Sequence, residues 1–421
     1  MDRTERNRTK QLDGDQLVQL QLEKFNALLR AILPSNQFYA EKLAETKTRI
    51  TSLEELQSLP FTFKDELVDS GSNQDFASNL TYPVEDYVRF HRTSGTQGRP
   101  MVVLDTLDDW RWWIETWQYV LDAAEIEAGE TVLLAFSFGP FIGFWSAFDA
   151  LIHRKALVVP SGGLSTLARI DLMRSTHASS LFCTPSYALH MAEVARENQI
   201  NVAELPIETV FVAGEPGGSV PEIRQQIESI WDAQVFDHSG ASEVGPWGFA
   251  GQSNTGLHII ESEFIAEFLS VETGKEAAEG ELSELVLTTL GRTGSPVIRY
   301  RTGDLVRPSW NCDSDCKFVF LDGGVLGRTD DMMVIRGINI FPTSIEQILR
   351  SYPEIVEYRL TARKEGAMDK LHIEIEDRLE QSDRIEKAIN VRIGLRVNVD
   401  CVPLGSLPRF EGKGKRFIDE R

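Results

Sequence analysis

Apolar residues at Leu17, Leu20, Leu22, Phe25, Leu28, Leu29 and Ile32 are spaced for one face of a helix. Pro34 predicts its end, since proline cannot supply the N–H of a further turn. The first 60 or so residues therefore read as helical. From 100 to 330 the pattern alternates. Residues 131–136, 208–213, 233–236, 284–289 and 297–300 are strand-like, while 188–197 and 221–231 are helix-like. Such alternation predicts α/β layering.

Near residue 330 the character changes. Gly327-Arg328-Thr329-Asp330-Asp331 is a polar, glycine-led segment. Short apolar runs follow at 344–349, 356–361, 371–376 and 383–393, enough for a small α+β domain. The predicted division is 1–329 and 330–421. The fold class expected is α/β, a large multi-sheet α/β N-terminal domain with a small α+β C-terminal domain.

The 421-residue chain is 42% hydrophobic and 25% charged, an ordinary globular balance, so a large core is available to both parts. Its formal charge of −21 argues against nucleic acid or an anionic membrane as the main partner. An anionic substrate then needs a local positive site. Cys183, Cys312, Cys316 and Cys401 are too few for a disulfide framework, which points to a reducing, cytoplasmic setting. The polar N-terminus shows no signal-peptide pattern. Residues 131–148 carry no charge, but Gly139, Pro140 and Gly143 interrupt them, so the run reads as a strand entering a pocket-lining loop or plain core, not a membrane span.

Four segments could carry chemistry. Arg92-Thr93-Ser94-Gly95-Thr96-Gln97-Gly98-Arg99-Pro100 offers backbone N–H groups and hydroxyls to phosphate oxygens, though a surface turn has the same composition. Asp237-His238-Ser239-Gly240-Ala241-Ser242-Glu243-Val244-Gly245 places a carboxylate that could share Mg²⁺ with phosphates, or simply face solvent. In Tyr300-Arg301-Thr302-Gly303-Asp304-Leu305 an aspartate after a strand could accept from both ribose hydroxyls, or close an ordinary Gly-Asp turn. Pro408-Arg409-Phe410-Glu411-Gly412-Lys413-Gly414-Lys415-Arg416 sets a lysine between glycines, a mobile cationic loop or a basic tail.

In order, these segments resemble the core motifs of the adenylate-forming (ANL) superfamily, and more closely the phenylacetate–CoA ligase and coenzyme F390 synthetase-like family. The resemblance runs from Leu59-Pro60-Phe61-Thr62-Phe63-Lys64 to the end. It includes Thr184-Pro185-Ser186-Tyr187, Ala213-Gly214-Glu215-Pro216, Gly256-Leu257-His258 and Gly337-Ile338-Asn339-Ile340-Phe341-Pro342.

The resemblance implies an ATP-dependent acid–thiol ligase that makes an acyl-AMP and transfers the acyl group to CoA. It implies that Ser94, Gly95, Thr96 and Gly98 wrap the ATP phosphates, that Gly214, Glu215 and Pro216 flank adenine, and that Glu243 binds Mg²⁺. Asp304, helped by Arg328, would hold the ribose, and Asp330 would be the hinge. Lys413 would bridge acid and α-phosphate, with Lys415 the other candidate. Phe136, Phe138, Phe141 and Gly240 would border the acyl group, and an aromatic wall favours an aryl or arylalkyl acid. A homodimer is also implied.

The chain departs from the pattern at Gln97 and Arg99, where relatives carry threonine and lysine, and at Ser239, where they often carry tyrosine. Some relatives bind a structural Zn²⁺, and Cys312, Cys316 and His258 match three of its ligands. The fourth, upstream of His258, is replaced by Gly251-Gln252-Ser253-Asn254. The remaining histidines, His91, His153 and His238 among them, read as ordinary core or surface residues. Three alternatives stay open: a carrier-protein thiol or amine as acceptor, AMP transfer to a deazaflavin, and a catalytically silent nucleotide-binding homologue.

Overall fold

A computed structural model describes every residue except 48, 69–75, 94–99, 144, 252–254, 311–314, 332, 336–337, 366–367, 396 and 410–415. The helix expected near the N-terminus runs Gly14–Ile32, opened by a capping box between Asp13 and Gln16. It buries Leu17, Phe25, Leu28, Leu29 and Ile32.

A nine-stranded mixed sheet organises the large part of the chain. Its parallel half lies in the spatial order Leu157–Pro160, Thr131–Leu134, Ser180–Cys183, Thr209–Ala213, Gln234–Ala241. Gly245–Ala250 and Gly256–Ile259 then continue it antiparallel. Alternation along each strand decides which face it covers. Val132, Leu134, Phe182, Phe211 and Phe236 join one core with Trp113 and Trp117 of helix Leu107–Ala123. Leu133, Leu181, Val210, Val212 and Val235 join another with Met191, Ile223 and Trp231 from helices Pro185–Glu197 and Pro221–Trp231. Burial on both faces explains why these strands are apolar without a polar alternation.

A four-stranded sheet orders Phe264–Ser270, Ser283–Thr289, Tyr300–Val306 and Gly327–Arg328. Beyond residue 330, a separate core gathers Met333, Ile345, Ile348, Leu360, Ile373, Ile375, Ile385 and Ile389. It lies between helices Pro342–Arg350 and Ser382–Ile393 and a sheet built on the hairpin of Ile355–Glu365 with Met368–Asp377.

Several expectations need correction. The strand foreseen at 131–136 ends at Leu134; the Ala135 N–H still reaches the Phe182 carbonyl at 2.9 Å, and the chain then leaves the sheet. The loop after it is shorter than foreseen, because helix Trp145–His153 begins inside the uncharged run. Residues 297–299 are not strand. Arg299 has φ +47° and its guanidinium is paired with buried Glu267, so Val297 and Ile298 enter the core through a turn. The strand foreseen at 233–236 continues to Ala241. Asp304 lies within strand Tyr300–Val306, not after it.

Candidate active site

The carboxyl ends of the parallel strands open into a cavity of about 1550 Å³. Ligands of open α/β sheets bind at such edges. Strand Thr209–Ala213 delivers Gly214, whose φ of +93° turns the chain sharply into Glu215 and Pro216. All three line the cavity. Glu215 Oε1 accepts the Ser186 backbone N–H at 2.8 Å, which ties this loop to the first turn of helix Pro185–Glu197.

Strand Gln234–Ala241 supplies the next wall. Gly240 lies on it and lines the cavity. A Cβ there would come within 2.9 Å of the Gly245 carbonyl oxygen, so the hairpin itself requires glycine. The tight turn that follows carries Glu243, also on the cavity. This turn is held from beneath: Arg292 donates to the Ser242 carbonyl at 3.0 Å and to Asp105 Oδ1 at 2.8 Å, both partners of the ion pair being fully buried.

Glu243 meets the second sheet through Tyr300, whose hydroxyl donates to Oε1 at 2.9 Å. Burial first, and then the Glu243 charge, raise the Tyr300 pKa well above its ordinary value, so the phenol remains a donor. Four residues along, a bulge and the φ of +75° at Gly303 re-aim the strand so that Asp304 lines the cavity. Arg328 on the neighbouring strand donates to Asp304 Oδ1 at 2.9 Å and to Asp330 Oδ2 at 3.3 Å. Burial alone would lower the Arg328 pKa; Asp304, Asp330 and Glu243 outweigh it and hold the guanidinium firmly charged.

The aromatic wall divides. Phe136 and Phe141 line the cavity, Phe141 at its exposed rim. Gly143, at φ +38°, lets the Phe136 ring approach to where a Cβ would lie 2.1 Å from Cε1. Phe138 is turned away, its ring centroid 4.8 Å from Trp145 and 5.9 Å from Phe148. Trp113 and Trp117 line the cavity in its stead, with the His238 ring centroid 4.2 Å from that of Trp117 at an interplanar angle of 46°. Trp113 and Trp117 were not singled out in the sequence, and His238 read there as an ordinary core or surface residue. The alternation of strand Gln234–Ala241, which puts His238 on the same face as Gly240, is the signal that could have found His238.

Ser94, Gly95, Thr96, Gly98, Lys413 and Lys415 lie outside the described residues. Arg92 and Thr93, immediately before the first group, line the cavity. Arg409 and Arg416 flank the second: Arg409 Nε is 3.8 Å from Glu193, and Arg416 Nη1 is 4.0 Å from Glu215 of the cavity wall.

For Mg²⁺, a cavity-facing carboxylate with one oxygen occupied by Tyr300 leaves the other for the ion, which commonly takes one or two carboxylates beside substrate phosphates. Glu243 fits that role. The zinc reading falls partly outside the described residues, since Cys312 is among those omitted. His258 is buried, with Nδ1 2.9 Å from the Phe318 carbonyl oxygen, and among the described residues no group of three or more potential ligands is arranged to hold a metal. Among the same residues no helix is long and apolar enough to cross a membrane.

Residues 337–421 match the AMP-binding enzyme C-terminal domain family. The chain is 30% identical to the phenylacetate–coenzyme A ligase of Thermus thermophilus, over 97% of this chain and 98% of that protein. It is 30% identical to that of Pseudomonas putida, over 97% and 95%. A crystal structure of 2-hydroxyisobutyryl-CoA ligase in the postadenylation state superposes with a TM-score of 0.89 at 26% identity, covering 95% of this chain and 89% of that one. The same ligase in its thioesterification state, with 2-HIB-AMP and CoA, gives 0.74 at 26% identity over 98% and 92%. A cavity that sets a carboxylate and an Asp–Arg pair beside a glycine turn, in a chain related over nearly its whole length to these enzymes, leads to one conclusion: the chain belongs to the phenylacetate–coenzyme A ligase family of AMP-forming acid–thiol ligases.

Proposed function

We propose that the protein activates an aryl or arylalkyl carboxylic acid as its acyl adenylate and passes the acyl group to CoA. The observation that carries this reading is the convergence of Gly214–Pro216, Glu243, Asp304 and Arg328 on one cavity with Phe136, Trp113 and Trp117. Residues 1–329 would bind ATP and the acid. Residues 330–421 would turn about Asp330 and bring Lys413 to the acid. A cytosolic setting fits Cys183 and Cys401, neither of which is in a disulfide.

In the first half-reaction a carboxylate oxygen bonds to the α-phosphorus, and the α–β phosphoanhydride breaks to release pyrophosphate. Asp304 accepts from the ribose hydroxyls, and Gly214, Glu215 and Pro216 flank the base, so the α-phosphorus is fixed relative to the acid. Glu243 would hold Mg²⁺, which would supply charge neutralisation on the phosphates. Tyr300 keeps that carboxylate oriented. Lys413 offsets charge where carboxylate and phosphate meet. In the second half-reaction the CoA sulfur bonds to the acyl carbon, the carbon–oxygen bond to phosphate breaks, and AMP leaves while the thiol proton passes to solvent.

The test is AMP release from Mg·ATP with a panel of aryl, arylalkyl and short aliphatic acids, with and without CoA. The reading predicts AMP formation that needs both acid and CoA for turnover and collapses in Lys413→Ala. AMP formation indifferent to CoA would contradict the acceptor, and none with any acid would contradict the activity.

A further inference from the structure

The acyl wall of the cavity carries polar groups that an unsubstituted arylalkyl acid would leave unused. His238 is buried on strand Gln234–Ala241 and lines the cavity. Its Nδ1 lies 2.7 Å from the Gly248 carbonyl oxygen. A carbonyl only accepts, so Nδ1 carries the proton, and in a neutral ring Nε2 is left as a bare acceptor. Nε2 has no hydrogen-bond partner among the described residues. It lies over Gly240, 3.3 Å from where a Cβ would be, and Gly240 is itself on the cavity. Glycine at 240 therefore leaves the approach to Nε2 uncovered.

A donor sits close by. Trp117, whose ring packs 4.2 Å from His238, donates through Nε1 to Ser146 Oγ at 2.8 Å. Ser146 is buried and also lines the cavity. Its oxygen is already accepting, so its own proton is available, and it donates to no described residue. One indole thus carries an acceptor and a donor on the same cavity wall. His238 and Ser146 both line the cavity, so a ligand that enters it can meet these atoms with groups of matching hydrogen-bond character. A hydroxyl, which both donates and accepts, is a group that can meet either atom.

We propose that His238, with Ser146, is a specificity-determining subsite for a hydroxyl on the acyl group, so that the acid activated is a hydroxy acid. This rests on the acid-activating reading above. Charge supports it: burial lowers the His238 pKa to about 4, so the ring is neutral, and Nε2 accepting, across the range in which such an enzyme would be assayed. The groups facing it are Trp117, Phe211 and the backbone of Gly248. Asp237 is its chain neighbour, and that carboxylate is committed to the Ser219 hydroxyl at 2.6 Å and to the His238 backbone N–H at 2.9 Å. None of these competes for Nε2.

The experiment compares kcat/KM for AMP formation with matched acids that differ by one hydroxyl: phenylacetate against mandelate and the three ring-hydroxylated phenylacetates, and isobutyrate against 2-hydroxyisobutyrate. Wild-type protein should favour the hydroxylated member of at least one pair by about tenfold or more, because a site built for a hydroxyl leaves its polar atoms unpaired with the parent acid. His238→Leu should remove that preference, lowering the hydroxy-acid value about tenfold more than the parent value. Retained ATP affinity in the variant shows that it is folded. The wild-type ratio needs no variant, so a misfolded His238→Leu would not protect the idea. Preference for the parent acid in every pair, or a ratio unchanged by His238→Leu, overturns the hydroxyl subsite and leaves the ligase reading standing. AMP from no acid overturns both.

Discussion

The hydroxyl of Tyr300 stands 2.9 Å from Oε1 of Glu243 and joins the turn after the large sheet to the first residue of a strand in the second sheet. The bond commits one carboxylate oxygen and fixes the direction of the other. Tyr300→Phe should therefore raise the Mg²⁺ concentration needed for half-maximal AMP formation, and should cost about 2 kcal/mol in urea unfolding, as expected for a hydrogen bond to a charged group. Glu243→Gln should cut the rate about a hundredfold, a loss typical of removing one charge-stabilising group. Chelation of divalent ions should abolish AMP formation in the wild type. Unchanged metal dependence in both variants would remove Glu243 from the metal site.

Asp304 and Arg328 make a second pair whose parts separate cleanly. Asp304→Asn keeps the shape and loses an acceptor, so KM for ATP should rise about tenfold or more while kcat for bound substrate changes less. Deoxy-ATP analogues lacking a ribose hydroxyl should discriminate less against the variant than against the wild type. Equal discrimination in both would place the ribose elsewhere.

Gly143 predicts a steric failure. With φ +38° and the Phe136 ring already in the space of a Cβ, Gly143→Ala must move the ring or the loop. Such strain costs about 1–3 kcal/mol. The acid KM should rise severalfold with the ATP KM little altered. Thermal unfolding and initial rates over a grid of both substrates would read the two effects.

His238 makes a prediction about pH. Its pKa is lowered to about 4 by burial, against an ordinary 6.5. As pH falls below 6.5 the unfolded chain binds a proton there that the folded chain refuses until about pH 4, so stability is lost across that window. His238→Leu removes this loss. Relative to wild type, the variant should gain about 2 kcal/mol between pH 7 and pH 4.5, read from urea unfolding at the two values. A constant difference would mean that the ring is protonated in the folded state.

Much of this arrangement was legible from residue patterns. Periodicity marked helices Gly14–Ile32, Pro185–Glu197 and Pro221–Trp231, because each keeps an apolar stripe for one face. The segments around Glu243 and Asp304 drew notice for glycines beside carboxylates, a composition that ordinary turns share, while Gly214–Pro216 and the role of each residue came only through the family resemblance. What escaped was long-range. Tyr300 reaches Glu243 across 57 positions, and Arg292 supports the same turn from 50 residues away. Trp117 and Ser146 face the cavity only because helices Leu107–Ala123 and Trp145–His153 pack together. Phe138 shows the converse: a loop phenylalanine beside a pocket reads the same in sequence whether it borders the acyl group or packs on Trp145, as it does here.

The central claim is a covalent bond between the acid and the α-phosphate. Carboxylate labelled with ¹⁸O, taken through turnover with ATP and CoA, tests it most directly by mass spectrometry of the AMP. If the acid attacks the α-phosphorus and the thiol then cleaves the carbon–oxygen bond, each AMP carries one ¹⁸O from the acid. AMP free of the label would contradict an acyl adenylate and the account built on it.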